Sequence, residues 1–179
     1  MDYRSLLEND DPQEISYLYE EARKAAVSMF GNNIYIRGLI EVSNYCRNNC
    51  YYCGIRASNT HVNRYRLSKE QILACCEYGY GLGFRTFVLQ GGEDPMQTDE
   101  WVEDVVRSIH AAHPGCAITL SLGEKDPESY KRFREAGADR YLLRHESFDS
   151  DHYGRLHPAG MSRDRRLECL RSLKENGYQ

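Results

Sequence analysis

The chain of 179 residues carries 23 Lys and Arg against 27 Asp and Glu, a formal net charge of −4, with 41% hydrophobic and 28% charged residues. That balance suits a globular protein with enough chain to bury a core, and it offers no clustered basic surface for nucleic acid or an anionic membrane. No apolar run approaches the roughly 20 residues that span a bilayer, and the acidic start MDYRSLLENDDPQE is unlike a secretory signal, so a cytoplasmic location is expected.

Asp11-Pro12-Gln13-Glu14 predicts a helix start, with Asp11 as cap, Pro12 in the first turn and Glu14 closing a capping box. The helix is expected to run to Phe30 and stop at Gly31. Residues 1–33 thus form an N-terminal helical segment. Ile34, Ile36, Leu39 and Ile40 predict a buried strand over 34–41, followed by a cysteine-bearing loop. Ser68-x-x-Gln71 opens a second helix that ends among the glycines at 79, 81 and 83. Arg85–Gln90 reads as a short apolar strand closed by Gly91-Gly92, and Asp99–Ala112 as a helix that stops before Pro114. A strand over Ala117–Leu122, a helix from Asp126-Pro127 to Gly137, a strand over Arg140–Arg144 and a helix from Ser162 to Asn176 complete the order. One helix followed by four strand–helix pairs predicts parallel βαβ units. That order alone leaves a doubly wound sheet and a barrel equally open.

Seven cysteines is an odd count, and Cys46, Cys50 and Cys53 fall within eight residues. Without a secretory signal, clustered thiols point to metal rather than to disulfides. Three thiolates on one loop can hold three irons of a cubane and leave the fourth iron open to a substrate. A closed zinc site wants a fourth protein ligand. His61 is the nearest histidine and has no partner at zinc-finger spacing. Cys75, Cys76, Cys116 and Cys169 are expected to be buried small hydrophobes. The basic run Arg163, Arg165, Arg166 and Arg171 reads as a solvated helix face, and His145 as a packing histidine.

With Tyr52 just before the last cysteine, the C-x3-C-x2-C segment resembles the signature of the radical S-adenosylmethionine (radical SAM) superfamily. The resemblance implies an α/β fold, a (β/α)8 TIM-type barrel of which residues 34–179 cover about the first four βα units. It implies a 4Fe–4S cluster on Cys46, Cys50 and Cys53, with S-adenosylmethionine on its open iron. Tyr52, Gly91, Gly92, Glu93, Glu124 and Arg144 are the binding residues it implies for that cofactor. Gly91-Gly92 would let backbone approach the ligand, Glu93 would meet its ammonium group, Glu124 its ribose and Arg144 its carboxylate. A plain βα turn at Gly91–Glu93 and an inter-strand Glu124–Arg144 salt bridge are the alternatives.

Within the superfamily the chain resembles the radical SAM maturases of FeFe hydrogenase, the HydE type. The matching words are Ser43-Asn44-Tyr45-Cys46-Arg47, Tyr52-Cys53-Gly54-Ile55-Arg56, Arg64-Tyr65-Arg66-Leu67, Val88 through Pro95, Leu120 through Glu124 and Ala136 through Glu146. Ser147 stands where that family commonly has threonine. The resemblance implies reductive cleavage of S-adenosylmethionine to a 5′-deoxyadenosyl radical, acting in maturation of the hydrogenase H-cluster. Its implied partners are a small-molecule or organometallic substrate, an external electron donor and other hydrogenase maturation proteins. The family barrel continues past Gln179, so a fragment or truncated product is expected. A biotin synthase-like or methylornithine synthase-like enzyme, or a non-catalytic cluster-binding fragment, are the rival readings.

Overall fold

The computed structural model describes residues 3–179; Met1 and Asp2, the first residues of the acidic N-terminal stretch, lie outside the described residues. The chain divides into two compact units, Met1–Tyr35 and Ile36–Gln179. In the first, α1 spans Tyr3–Leu7 and α2 spans Pro12–Phe30. Asp11 caps α2 by accepting from the Gln13 N–H at 2.8 Å. Its own N–H donates to Asn9 Oδ1 at 2.9 Å, so the reciprocal bond expected of Glu14 is replaced by a local turn. Gly31 ends the helix as expected, its N–H donating to the Val27 carbonyl at 2.8 Å.

The second unit holds β1 (Gly38–Ser43), α3 (Lys69–Gly81), β2 (Thr86–Gly91), α4 (Asp99–Ala112), β3 (Ala117–Ser121), α5 (Pro127–Ala136), β4 (Arg140–Tyr141), α6 (Ser150–Leu156) and α7 (Arg163–Glu175). The four strands are parallel and lie side by side in the order β1-β2-β3-β4. A doubly wound sheet reverses its strand order at a switch point. Here every crossover steps the same way, and right-handed crossovers then put the helices on one face, as in a barrel. The four units are the first half of that architecture.

Side chains alternate between the two faces. Ile40 and Val42, Phe87 and Leu89, and Ile118 and Leu120 join Ile72, Val105, Ile109, Phe133 and Leu173 of the helices in one core. Leu39, Glu41, Val88, Gln90, Thr119 and Ser121 share the opposite face by register. Four of those six positions are polar, which suits a face turned to a site.

Ser68 and Gln71 form the expected capping box, with Gln71 N–H to Ser68 Oγ at 3.3 Å and Ser68 N–H to Gln71 Oε1 at 2.8 Å. Three expectations are corrected. The first strand begins at Gly38, and Ile34 and Ile36 are 88% and 68% exposed, because pairing with β2 starts only at Gly38 opposite Phe87. The strand expected over 140–144 pairs only through Arg140 and Tyr141. An unexpected helix, α6, is capped by Asp149, which accepts from the His152 N–H at 2.7 Å. Among the described residues no helix is long and apolar enough to cross a membrane.

Candidate active site

All four strands point one way, so Ser43, Gly91, Ser121 and Tyr141 end on one rim. A cleft of about 400 Å³ opens there, lined by Cys46, Cys50 and Cys53 together with Tyr52, Gly91, Gly92, Glu93 and Arg144. Glu41, Gln90 and Ser121 of the polar sheet face complete its floor.

The cysteine loop follows β1 directly and is held by backbone contacts. Ala57 N–H donates to the Asn48 carbonyl at 2.8 Å, and Arg47 N–H to the Glu93 carbonyl at 2.9 Å. The Arg64 guanidinium donates to the carbonyls of Ile55, Arg56 and Asn59 at 2.8–3.1 Å and also to that of Asn44. Five fixed donors in a rigid fork suit such a task. Gly92 must be glycine for this loop to pass: a Cβ there would lie 2.3 Å from the Tyr45 carbonyl oxygen and 2.6 Å from Cys46 Cβ.

Glu93 stands with one carboxylate oxygen on each side. Oε2 accepts from Arg47 Nε at 3.1 Å, and Oε1 from the Glu124 N–H at 2.9 Å. Gly123 has φ +77°, and a Cβ on it would meet Glu93 Cγ at 2.1 Å, so the β3 turn is shaped around that side chain. Next to it, buried Asp94 accepts from Ser43 Oγ at 2.7 Å and from Arg66 Nε and Nη2 at 2.6 and 2.9 Å. Burial pushes the Asp94 carboxyl up, but the bonds from Arg66, Ser43 and the Met96 N–H outweigh it and hold it below its usual range. Arg66 in turn lies over the Tyr45 ring, 3.6 Å from its centroid. The Gly-Gly-Glu-Asp turn is thereby locked to both ends of the cysteine loop.

The ends of β3 and β4 differ from the sequence expectation. Glu124 pairs with Arg166 of α7, Nε to Oε1 at 2.6 Å, and not with Arg144. It also borders a neighbouring hollow of about 370 Å³ lined by Arg47, Lys125 and Arg165. Arg144 is exposed at the edge of the cysteine cleft, and its carbonyl accepts from Arg166 Nη1. His145 is exposed rather than packed, and Cys75 is exposed, since adjacent Cys75 and Cys76 on α3 cannot both face the sheet. Cys76, Cys116 and Cys169 are buried as expected.

Arg166 is only 7% exposed and lines the cleft, contrary to the reading of that arginine run as solvated. Met161, also in the cleft, sets its Sδ 3.6 Å from Cys50 Sγ. Buried His157 meets the Tyr52 hydroxyl at 3.1 Å. These three residues come from the segment after β4. Arg166 stands three residues before Cys169 and seven before Leu173, a spacing that puts all three on one helix face and could have hinted at an inward arginine, but nothing local marks His157. The Cys50 thiol is raised, first by burial and then by the neighbouring Cys46, with the Tyr52 hydroxyl opposing.

These donors suit a cluster better than a single ion. Three thiolates leave one position without a protein ligand, which a cubane with one open iron uses and a closed zinc site does not. His61 is exposed and outside the cleft lining. Three thiols on one cleft wall, beside a turn kept free of side chains at Gly92, fit a group with three protein ligands.

Comparison with known proteins decides the family. The radical SAM superfamily profile matches residues 40–179. The chain belongs to the radical SAM superfamily. It is 44% identical over 162 residues to the FeFe hydrogenase maturase subunit HydE of Thermotoga maritima, covering 90% of this chain and 45% of that protein. It is 36% identical over 180 residues to the 3-methylornithine synthase of Methanosarcina acetivorans, covering 99% of this chain and 50% of that protein. A crystal structure of methylornithine synthase superposes with a TM-score of 0.87 at 33% identity, over 98% of this chain and 52% of that one. This radical SAM chain therefore spans about half the length of the curated relatives it matches.

Proposed function

We propose that the protein is a radical SAM enzyme of the HydE type, acting in maturation of the FeFe-hydrogenase active site. The observation that carries the reading is the 44% identity to HydE over 162 residues, 90% of the chain. In this reading Cys46, Cys50 and Cys53 hold a 4Fe–4S cluster, and an external donor supplies its electron. When bound, the cluster supplies the electron that cleaves S-adenosylmethionine to a 5′-deoxyadenosyl radical.

The chain's own residues bind, orient and exclude water. Gly92 keeps a side chain out of the space beside Cys46, while a side chain on Gly91 would press on Ser43, Val42 and Leu122. Glu93, held in one orientation by Arg47 and the Glu124 N–H, retains lone pairs for an ammonium group. Arg144 presents an exposed fork at the cleft edge for a carboxylate. Tyr52 borders the same cleft, while Glu124, which lines the neighbouring hollow and gives one oxygen to Arg166, has its second oxygen for hydroxyl groups.

A second reading, methylornithine synthase-like chemistry, is favoured by the 98% structural coverage and TM-score of 0.87. The biotin synthase of Cutibacterium acnes, 30% identical over 177 residues, is a weaker match. The test is genetic and chemical. The full-length gene should restore hydrogenase activity to a strain lacking its HydE-type maturase. Failure there, with formation of 3-methylornithine by the anaerobic protein, would establish the second reading.

A further inference from the structure

Beside the cysteine cleft lies the hollow of about 370 Å³ that Glu124 borders, a volume within the range of small-molecule sites. Arg47, Lys125 and Arg165 bring cations to it, and Glu93 is a wall it shares with the cleft. Five carboxylates also face the hollow, but each already has a partner. Glu93 pairs with Arg47, Asp94 with Arg66 and Glu124 with Arg166, while Asp126 accepts from Arg165 Nη2 at 2.8 Å. Asp99 accepts from the Ser129 hydroxyl and stands 3.8 Å from Lys125 Nζ. Each carboxylate is thus answered by one cation, and the wall is close to neutral.

Two sets of donors on that wall lack an acceptor. Gln97 lines the hollow and is 6% exposed, and its Nε2 is buried with no hydrogen-bond partner among the described residues. Its backbone N–H donates to the Asp94 carbonyl at 3.1 Å, so the Gly-Gly-Glu-Asp turn fixes where this side chain starts. The second set is the start of α5. Its N-cap residue Asp126 has turned to Arg165 and makes no cap bond, which leaves the Glu128 and Ser129 N–H groups of the first turn without a capping acceptor. Asp126 and Ser129 both line the hollow, so the positive end of this ten-residue helix opens onto it. Lys125, just before the helix, is held there by its N–H, which donates to the Tyr130 hydroxyl oxygen at 2.9 Å.

We propose that this hollow binds the carboxylate of a small organic acid, held by the Gln97 amide, the start of α5 and Lys125. A buried donor without a partner calls for an acceptor, and a helix N-terminus beside an ammonium group favours an anionic one. The near-neutral wall selects a single negative charge. A dianion such as phosphate would face five carboxylates with no surplus of cations to answer it. The site needs no cluster and stands apart from the roles given to Cys46, Cys50 and Cys53.

The test is saturation-transfer NMR of acetate on the full chain at constant ionic strength, without iron or S-adenosylmethionine, for wild type, Gln97→Met, Lys125→Gln and Arg144→Ala. Wild type is expected to give a saturable signal. Gln97→Met keeps the length of the side chain and removes its donor, and Lys125→Gln removes the charge. Each is expected to weaken acetate binding about tenfold or more. Arg144→Ala, which lines only the cysteine cleft, is expected to bind as wild type does. Without acetate, Gln97→Met is expected to unfold at the same urea concentration as wild type or a higher one, because a stranded donor has been removed. No saturable signal from wild type, or unchanged affinity in both Gln97→Met and Lys125→Gln, overturns the proposal. A loss in Arg144→Ala does so too, since it places the anion in the cysteine cleft. Inorganic phosphate that binds more tightly than acetate in competition overturns the choice of a carboxylate. Should Gln97→Met not fold, Lys125→Gln and Arg144→Ala still decide.

Discussion

Arg166 and Glu124 form a largely buried charge pair, Nε to Oε1 at 2.6 Å with side-chain exposures of 8% and 17%. The same guanidinium donates to the Arg144 carbonyl, so α7 ties together the ends of β3 and β4. Removing one partner leaves the other buried and uncompensated, which costs about 3–5 kcal/mol. Arg166→Ala is therefore expected to lower the free energy of unfolding in urea by about that amount. Arg144→Ala, which removes an exposed side chain, is expected to stay within about 0.5 kcal/mol of wild type. Equal losses in the two variants would show that Arg166 is not a structural tie.

A different outcome is expected for Arg144→Lys. Its guanidinium is free at the cleft edge, and a bidentate contact to a carboxylate is one that lysine cannot reproduce. Such a charge-assisted bond is worth roughly 1.5–3 kcal/mol, about a ten- to hundredfold change in affinity. Isothermal titration of the loaded full-length protein with S-adenosylmethionine should show that loss with melting temperature unchanged. Normal affinity would remove Arg144 from the site.

The two glycines of the turn should respond unequally. A Cβ on Gly92 would strike the Tyr45 carbonyl and Cys46 Cβ, whereas on Gly91 the nearest atom is the Ser43 carbonyl oxygen at 3.2 Å. Gly92→Ala therefore displaces the cysteine loop itself, at an overpacking cost of about 1–3 kcal/mol. Iron content after anaerobic reconstitution should fall in Gly92→Ala and stay close to wild type in Gly91→Ala. Full iron in both would mean that the loop accommodates the extra carbon.

Asp94 sets a pH dependence. Its folded carboxyl is held below the ordinary range because the Arg66, Ser43 and Met96 bonds outweigh its burial. A depressed carboxyl contributes stability that is complete above its unfolded value, about pH 4, and is lost as pH falls through the lower folded value. The stability gap between wild type and Asp94→Asn, from urea melts, should be constant from pH 5 to 7 and shrink below about pH 4. A gap that widened on acidification would reverse the sign assigned here.

Much of this was legible in the sequence for local reasons. Helix starts at Ser68 and Asp126-Pro127 rest on residues within one turn, and α4 and α7 begin and end within a residue of expectation. Even there a side chain found another partner: Asp126 bonds Arg165 at 2.8 Å and makes no cap bond. The elements that tertiary pairing controls were misjudged. Ile34 and Ile36 have strand-like chemistry but no strand to pair with, and the run after Tyr141 leaves the ladder. In the site, Cys46, Cys50, Cys53 and Gly91–Glu93 stood out because each group is contiguous and follows a strand. Arg166 did not, since the carboxylate that buries it is 42 residues away. His157 was hidden for the same reason, 105 residues from Tyr52.

Cluster content per chain tests the central claim most directly. The full chain, reconstituted anaerobically with iron and sulfide, is expected to hold about four of each per polypeptide. Cys46→Ala, Cys50→Ala and Cys53→Ala should each lose it, and Cys75→Ala, Cys116→Ala and Cys169→Ala should retain it. One zinc per chain with no acid-labile sulfide, or iron unaffected by loss of any of the first three cysteines, would contradict the account.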